Sequence, residues 1–280
     1  SGSRLPMDSI AFTKMSGSGN DFILIDNRTR VVDEAELPRF ITGICRRRIS
    51  VGADGVILIE ASATADFRWR FFNADGSSGE MCGNGARCAA RFAFMHGIAG
   101  ADMRFETDAG VIHARVNAPR VRVKLTDPHS LRQAVRLELA SGALQVSSIN
   151  TGVPHVVVMA SDLENTDVRG LGREIRLHPE FAPAGTNVNF IGADPDGGIA
   201  IRTYERGVED ETLACGTGSV AGALVAAATL NLTSPVRMRT RSGEHLTVHF
   251  RRDGDRFHDI HQEGCAWLIY AGHLCEEAWR

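Results

Sequence analysis

The chain has 280 residues, 31 Lys and Arg against 34 Asp and Glu, a formal charge of −3 and 43% hydrophobic residues. That composition describes a soluble globular protein long enough for two modest domains or one large one, and it excludes a strongly basic nucleic-acid surface as a global property. The run Cys45-Arg46-Arg47-Arg48 reads as a solvated helix end. No stretch approaches the ~18 continuous apolar residues of a membrane span, and the sequence does not open on a charged-then-apolar secretory pattern, so the expected location is the cytoplasm. Residues 1–6 precede Met7 and read as a remnant of an expression tag. The cysteines at 45, 82, 88, 215, 265 and 275 contain no Cys-x-x-Cys and no matching His pair, so neither a metal site nor a disulfide framework is expected.

Taken in chain order, short apolar runs punctuated by Gly, Pro and Asn predict strands over 11–15, 22–26, 55–60, 67–72, 111–116 and 121–125. Further strands are expected over 156–160, 187–191, 199–205, 236–240 and 245–250. The best helical patterns begin just after a Cys-Gly-x-Gly in each half, over 86–96 and 219–230. The second of these is almost entirely Ala, Val, Leu and Gly. A helix apolar around its whole circumference is buried on all sides.

Short segments recur at an offset of 133 residues. Gly19-Asn20-Asp21-Phe22-Ile23-Leu24-Ile25 answers to Gly152-Val153-Pro154-His155-Val156-Val157-Val158, and Gly52-Ala53-Asp54-Gly55 to Gly185-Thr186-Asn187-Val188. Cys82-Gly83-Asn84-Gly85 answers to Cys215-Gly216-Thr217-Gly218. Arg70-Phe71-Phe72-Asn73 answers to Arg202-Thr203-Tyr204-Glu205 with the offset slipped by one. The order of these matches predicts a duplication. The expected architecture is α/β (α+β): two pseudo-twofold-related domains, each a mostly antiparallel sheet curled around one central helix. The junction is placed near Asp127-Pro128, with residues 7–127 plus 267–280 in one domain and 128–266 in the other.

Each Cys-Gly-x-Gly leads straight into a helix. This puts Cys82 and Cys215 at helix N-termini, where unpaired N–H groups and the helix dipole favour a thiolate. The glycines also let a carboxylate approach the amides. Singly, such a cysteine is more often a small packed residue. Two in one local context point to a thiol on each side of a bound molecule, which stereoinversion at a carbon requires: one thiolate removes a proton from one face and the opposite thiol delivers one to the other. His155 alone would more often be a satisfied buried imidazole, and Glu205 with Arg206 a surface ion pair of little value. Asn20, Asn73 and Asn187 stand at turns, where Asn is common for backbone reasons. Their convergence on strand ends near the two Cys loops makes them ligand-binding candidates.

The segments Lys14-Met15-Ser16-Gly17-Ser18-Gly19-Asn20-Asp21-Phe22, Phe72-Asn73-Ala74-Asp75-Gly76-Ser77, Met81-Cys82-Gly83-Asn84-Gly85-Ala86-Arg87-Cys88 and Glu205-Arg206-Gly207 followed by Ala214-Cys215-Gly216-Thr217-Gly218 resemble diaminopimelate epimerases. The resemblance runs from about Phe12 to the end of the chain. It implies a cofactor-independent epimerase that interconverts LL- and meso-2,6-diaminopimelate for lysine and peptidoglycan synthesis, working without pyridoxal phosphate or metal, often as a homodimer, with no nucleic-acid or membrane partner. By the same resemblance Cys82 and Cys215 are the acid/base thiols, assisted by His155 and Glu205. The amides at Gly83, Asn84, Gly216 and Thr217 bind the carboxylate at the reacting centre. Asn20, Asn73, Asn187, Glu205 and Arg206 hold the substrate, Arg206 as a bidentate partner for the distal carboxylate.

Three departures touch the distal group: Val153 where members commonly carry Asn, Gly55 where they commonly carry Gln, and one extra residue in the loop 208–212. A related racemase for another amino acid such as histidine is the nearest alternative, against which Arg206 speaks. A thiol redox, metal-binding or pure binding protein is the rival from another class, and it leaves the paired Cys-Gly-x-Gly sites unexplained.

Overall fold

In a computed structural model of the chain the described residues are 9–79 and 82–280. The expected tag remnant at 1–6, and Met81 of the first cysteine motif, lie outside them. The chain forms two compact units, Ser1–Val123 with Cys265–Arg280, and Lys124–Gly264.

The first unit contains β1 (Ile10–Gly17), β2 (Asn20–Asp26), α1 (Leu37–Cys45), β3 (Gly55–Glu60), β4 (Phe67–Asn73), α2 (Gly83–Met95), β5 (Asp102–Thr107), β6 (Gly110–Asn117) and β7 (Arg120–Lys124). The second contains β8 (His129–Leu139), β9 (Gly142–Asn150), β10 (Pro154–Met159), α3 (Val168–Arg176), β11 (Asn187–Ala193), β12 (Ile199–Glu205), β13 (Asp210–Thr212), α4 (Gly216–Leu230), β14 (Val236–Arg239), β15 (His245–Asp253) and β16 (Arg256–Cys265). The chain then returns to the first unit as β17 (Trp267–Leu274).

Strand pairing repeats between the units. The first runs β17-β1-β2-β3-β4-β5-β6-β7, antiparallel except for the parallel pairs β2–β3 and β4–β5. The second runs β8-β9-β10-β11-β12-β14-β15-β16, antiparallel except for the parallel pairs β10–β11 and β12–β14. The order of parallel and antiparallel neighbours is therefore identical. Register agrees as well: Phe22 pairs with Gly55 and Ile57 with Phe71 in one unit, His155 with Asn187 and Asn189 with Thr203 in the other. The duplication is thus expressed in the pairing itself, with one correction: Asn187 stands where Gly55 does, so the expected match of Asp54 with Asn187 slips by one residue. The strand expected over 121–125 occurs one residue earlier, as Arg120–Lys124, at the end of the first unit.

In each sheet the central strands are buried on both faces, which explains their unbroken apolar runs. Val157 and Ile191 face α4, whereas their neighbours Val156, Val158, Val188 and Phe190 face α3. In the first unit Ile23, Ile25, Val56 and Leu58 pack with Phe40, Ile41 and Ile44 of α1. The helix α2 touches β1, β2, β3 and β6, and α4 touches β9 to β12, β14 and β15. Contact with strands so far apart in pairing order means that each sheet curls around its helix. Residues Gly218 to Ala227 of α4 are all buried, as its uniform hydrophobicity requires. Among the described residues no helix is long and apolar enough to cross a membrane.

Both central helices begin three residues earlier than expected, at Gly83 and Gly216. Glycine normally argues against helix interiors, but here the pair of glycines occupies the first turn. Cys82 and Cys215 are therefore the N-cap residues themselves, in nearly the same extended conformation (φ −119° and ψ 116°; φ −126° and ψ 116°).

Candidate active site

In the first unit Cys82 is half-buried at the start of α2, and its sulfur makes no cap hydrogen bond to the helix. The next turn is fixed by a polar chain. The Asn84 Nδ2 donates to Asn20 Oδ1 at 2.7 Å, and Asn20 Nδ2 donates to Asp54 Oδ2 at 3.0 Å. From the other side Arg87, fully buried in the helix, donates to Asn84 Oδ1 at 2.6 Å and to Ser18 Oγ at 3.0 Å. Asp21 and Asp54 are bound by Arg47 at 2.6 and 2.9 Å, and Lys14 reaches Asp21 at 2.9 Å. Burial raises the pKa of Asp21, but the hydrogen bonds from Arg47 and Lys14 outweigh it and hold the carboxyl down at about 2. Two expected site residues, Asn20 and Asn84, are therefore joined directly. Asn73 ends β4 and makes a different contact, its Nδ2 donating to Ser77 Oγ at 3.0 Å.

In the second unit the sulfur of Cys215 accepts from the Gly218 N–H at 3.4 Å and lies 3.6 Å from the Thr217 hydroxyl. That hydroxyl is 3.0 Å from His155 Nε2. The opening turn is tied down by Thr151, which donates to the Thr217 carbonyl at 3.1 Å, and by Gln262, which donates to the Gly216 carbonyl at 2.8 Å. Ser219 Oγ donates to the Cys215 carbonyl at 3.0 Å. Asn187 spans two strand ends: its Nδ2 donates to the Pro154 carbonyl at 3.2 Å and its Oδ1 accepts from the Arg206 N–H at 2.8 Å. Arg206 Nη1 donates to the Ala184 carbonyl at 3.0 Å. Burial pushes the Glu205 carboxyl above its ordinary range, with the Thr212 hydroxyl working against that. A carboxyl so placed holds its proton more readily than an exposed one.

Two of the remaining cysteines, Cys45 and Cys88, are set apart by burial, whereas Cys265 and Cys275 are half-buried like Cys82 and Cys215. Burial pushes the Cys45 thiol up to about 12, so it stays protonated and inert. Cys88 is also buried.

His155 is 1% exposed, and burial, aided by the Arg206 charge, drives its pKa down to about 3. The imidazole is therefore neutral at physiological pH and acts in hydrogen bonding rather than as a cation. In the unfolded chain the same residue takes up a proton near pH 6.5. Its contribution to stability is complete above that value and lost as the pH falls from about 6.5 towards 3. Urea unfolding at a series of pH values should show His155→Gln losing less stability than the parent between pH 7 and 4, by up to about 3 kcal/mol at pH 4. Parallel stability curves would contradict this.

The residues absent from the sequence-based set are Asn189, Thr203, Thr151 and Gln262 in the second unit, and Ser18, Asp54 and Arg87 in the first. Asn189 is fully buried in mid-strand, and a polar residue inside the run Asn187-Val188-Asn189-Phe190-Ile191 was the available signal.

The fold and site define a class of duplicated α/β proteins that place a cysteine at the N-cap of the central helix in each half. Comparison narrows it. The family model described as diaminopimelate epimerase matches residues 12–130 and 147–264. The diaminopimelate epimerase of Aquifex aeolicus (strain VF5) is 46% identical over 277 residues, covering 95% of this chain and 98% of that protein. That of Hydrogenobaculum sp. (strain Y04AAS1) is likewise 46% identical over 277 residues, with the same coverage. The chain belongs to the diaminopimelate epimerase family. Among solved structures, a phenazine biosynthesis protein of the PhzF family from Bacillus anthracis shares the fold, with a TM-score of 0.73 at 17% identity over 96% of this chain and 100% of that one.

Proposed function

We propose that the protein interconverts LL- and meso-2,6-diaminopimelate, with Cys82 and Cys215 as base and acid on opposite faces of the α-carbon. The observation that carries this reading is the equivalence of the two cysteines. Each caps a buried central helix at the same place in a repeated sheet topology, with the same backbone conformation. Amides of the first helical turn have no partner within the helix. Those of Gly83, Asn84, Gly216 and Thr217 bind the substrate carboxylate and stabilise the enolate-like charge that forms as the α-proton leaves. Glu205 and His155 assist the thiols. Arg206 and Asn187, with Asn20 and Asn73, grip the remainder of the substrate. The domains expected from the duplication, 7–127 with 267–280 and 128–266, differ by a few residues from the compact units, which divide at 123/124 and 264/265.

Val153 and Gly55 leave two positions of the distal grip without an amide side chain, and Arg206 carries the recognition of a second carboxylate. The test is to incubate reduced protein in deuterated water with LL-diaminopimelate and, separately, with L-histidine and L-glutamate, and to follow α-deuterium and configuration. Exchange with inversion of diaminopimelate alone supports the assignment. Exchange of another amino acid instead, or of none, overturns it.

The reading includes a homodimer and a cytoplasmic setting, where thiols stay reduced. Four successive apolar residues of β17, Trp267 to Tyr270, are 42–53% exposed. Such a run supports β17 as the surface joined in a dimer. Sedimentation of the parent should give the dimer mass, and Ile269→Lys the monomer mass; a monomeric parent at micromolar concentration would refute the assignment.

A further inference from the structure

The equivalence of the two units exposes a difference. Phe22, Ile57 and Phe71 in the first unit occupy the register positions of His155, Asn189 and Thr203 in the second. In the first unit these are apolar, with the rings of Phe22 and Phe71 packed edge to face at 5.9 Å. In the second they form a buried hydrogen-bonded triad: Thr203 Oγ1 donates to Asn189 Oδ1 at 2.9 Å, and Asn189 Nδ2 lies 3.0 Å from His155 Nδ1. Apolar residues serve the fold at these positions, so the polar triad, costly to bury, calls for another reason.

The direction of the hydrogen bonds supplies one. Asn189 Nδ2 also lies 3.0 Å from the Val156 carbonyl, which can only accept. The atom facing both neighbours is therefore the amide NH2, and Thr203 donating to Oδ1 fixes the same orientation. One amide hydrogen goes to Val156 and the other to His155 Nδ1. That nitrogen must then present its lone pair, and a neutral imidazole carries its single hydrogen on Nε2. The Nε2–H donates to Thr217 Oγ1, which leaves the Thr217 hydrogen to point at Cys215 Sγ, 3.6 Å away.

We infer that Asn189, anchored by Thr203, is a positioning residue that locks His155 in its Nε2–H tautomer, so that the Thr217 hydroxyl donates to the Cys215 thiolate. With the Gly218 amide this gives the sulfur two donors. The equivalent of Thr217 in the first unit is Asn84, whose side chain is engaged with Asn20 and Arg87. The hydroxyl relay thus belongs to the second unit's turn, and it favours Cys215 as a thiolate. The inference deepens the acid/base role proposed for Cys215 and rests on it, but its test needs no substrate.

The experiment follows Cys215 in the full-length reduced protein by peptide mapping after iodoacetamide pulses over a pH series, together with imidazole 15N shifts, the His155 signal being assigned by its loss in His155→Gln. The parent should show protonated Nε2 and bare Nδ1. Thr217→Val should move the Cys215 alkylation midpoint up by about one pH unit, and Thr217→Ser should restore it. Asn189→Asp, which can only accept from His155, should switch the hydrogen to Nδ1 and raise the Cys215 midpoint with no further rise on adding Thr217→Val. The Cys82 midpoint should stay in place throughout. A parent with hydrogen on Nδ1, or a Cys215 midpoint unmoved by Thr217→Val, overturns the proposal even if Asn189→Asp fails to fold. Loss of diaminopimelate turnover with an intact alkylation pattern would instead count against the substrate assignment.

Discussion

Cys82→Ala and Cys215→Ala will each reduce the rate of inversion by about 10²–10⁴-fold, the usual worth of a positioned proton donor or acceptor. Both losses should appear in kcat/KM with little change in thermal stability. Each cysteine is a half-buried cap rather than a core residue, and the helices behind them are held by the burial of their own faces. The double variant should be scarcely worse than either single one, because inversion fails as soon as one face lacks its proton carrier. Thermal melts alongside steady-state rates separate chemistry from folding. Near-normal turnover in either variant would remove that cysteine from the mechanism.

The second large effect concerns two glycines that correspond in the duplication and differ in surroundings. A Cβ on Gly218 would lie 2.4 Å from Asn189 Oδ1 and 3.2 Å from Cys215 Sγ, whereas one on Gly85 meets the end of the Ile57 side chain at 3.3 Å, Trp69 at 3.4 Å and Phe22 at 3.6 Å. Gly218→Ala must displace the amide that orients His155, and should cost about 1–3 kcal/mol of stability together with much of the activity. Gly85→Ala exchanges a tight contact with a flexible methyl for better helix propensity, and should be close to neutral. Urea unfolding and kcat for the two variants test this pairing. Equal effects would mean that the packing around Asn189 does not constrain the site.

The sequence made the duplication legible, because glycines and cysteines that shape a backbone turn recur at fixed spacing. It made the central strands legible too, since strands buried on both faces read as unbroken apolar runs such as Val156-Val157-Val158. Other elements carried weaker signals. Two glycines at 170 and 172 interrupt the periodicity of α3, and Pro38 obscures α1, although proline suits the first helical turn. Strand β8 is largely exposed and lacks alternation, so its pairing with β9 had no hydrophobic pattern to reveal it. The candidate site divides in the same way. Cys82 and Cys215 were legible as a repeated motif, and both occur as helix caps. Asn189 and Thr203 were not, because they act through His155 and only the fold shows which strand positions face one another. Asn187, expected to hold a ligand, also joins Pro154 to Arg206 through its own amide, which no sequence pattern announced.

The central claim is that one thiol serves each face of the α-carbon. Its most direct test is the α-hydrogen exchange of single-thiol variants in deuterated water, measured separately with the LL and the meso isomer. A lone thiol can remove the α-hydrogen only from the isomer that presents it to that side, and returns deuterium to the same face. Cys82→Ala should therefore exchange one isomer with retention and leave the other untouched, and Cys215→Ala should do the reverse. Exchange of both isomers by either variant, or inversion by a variant with a single thiol, would contradict the two-thiol account.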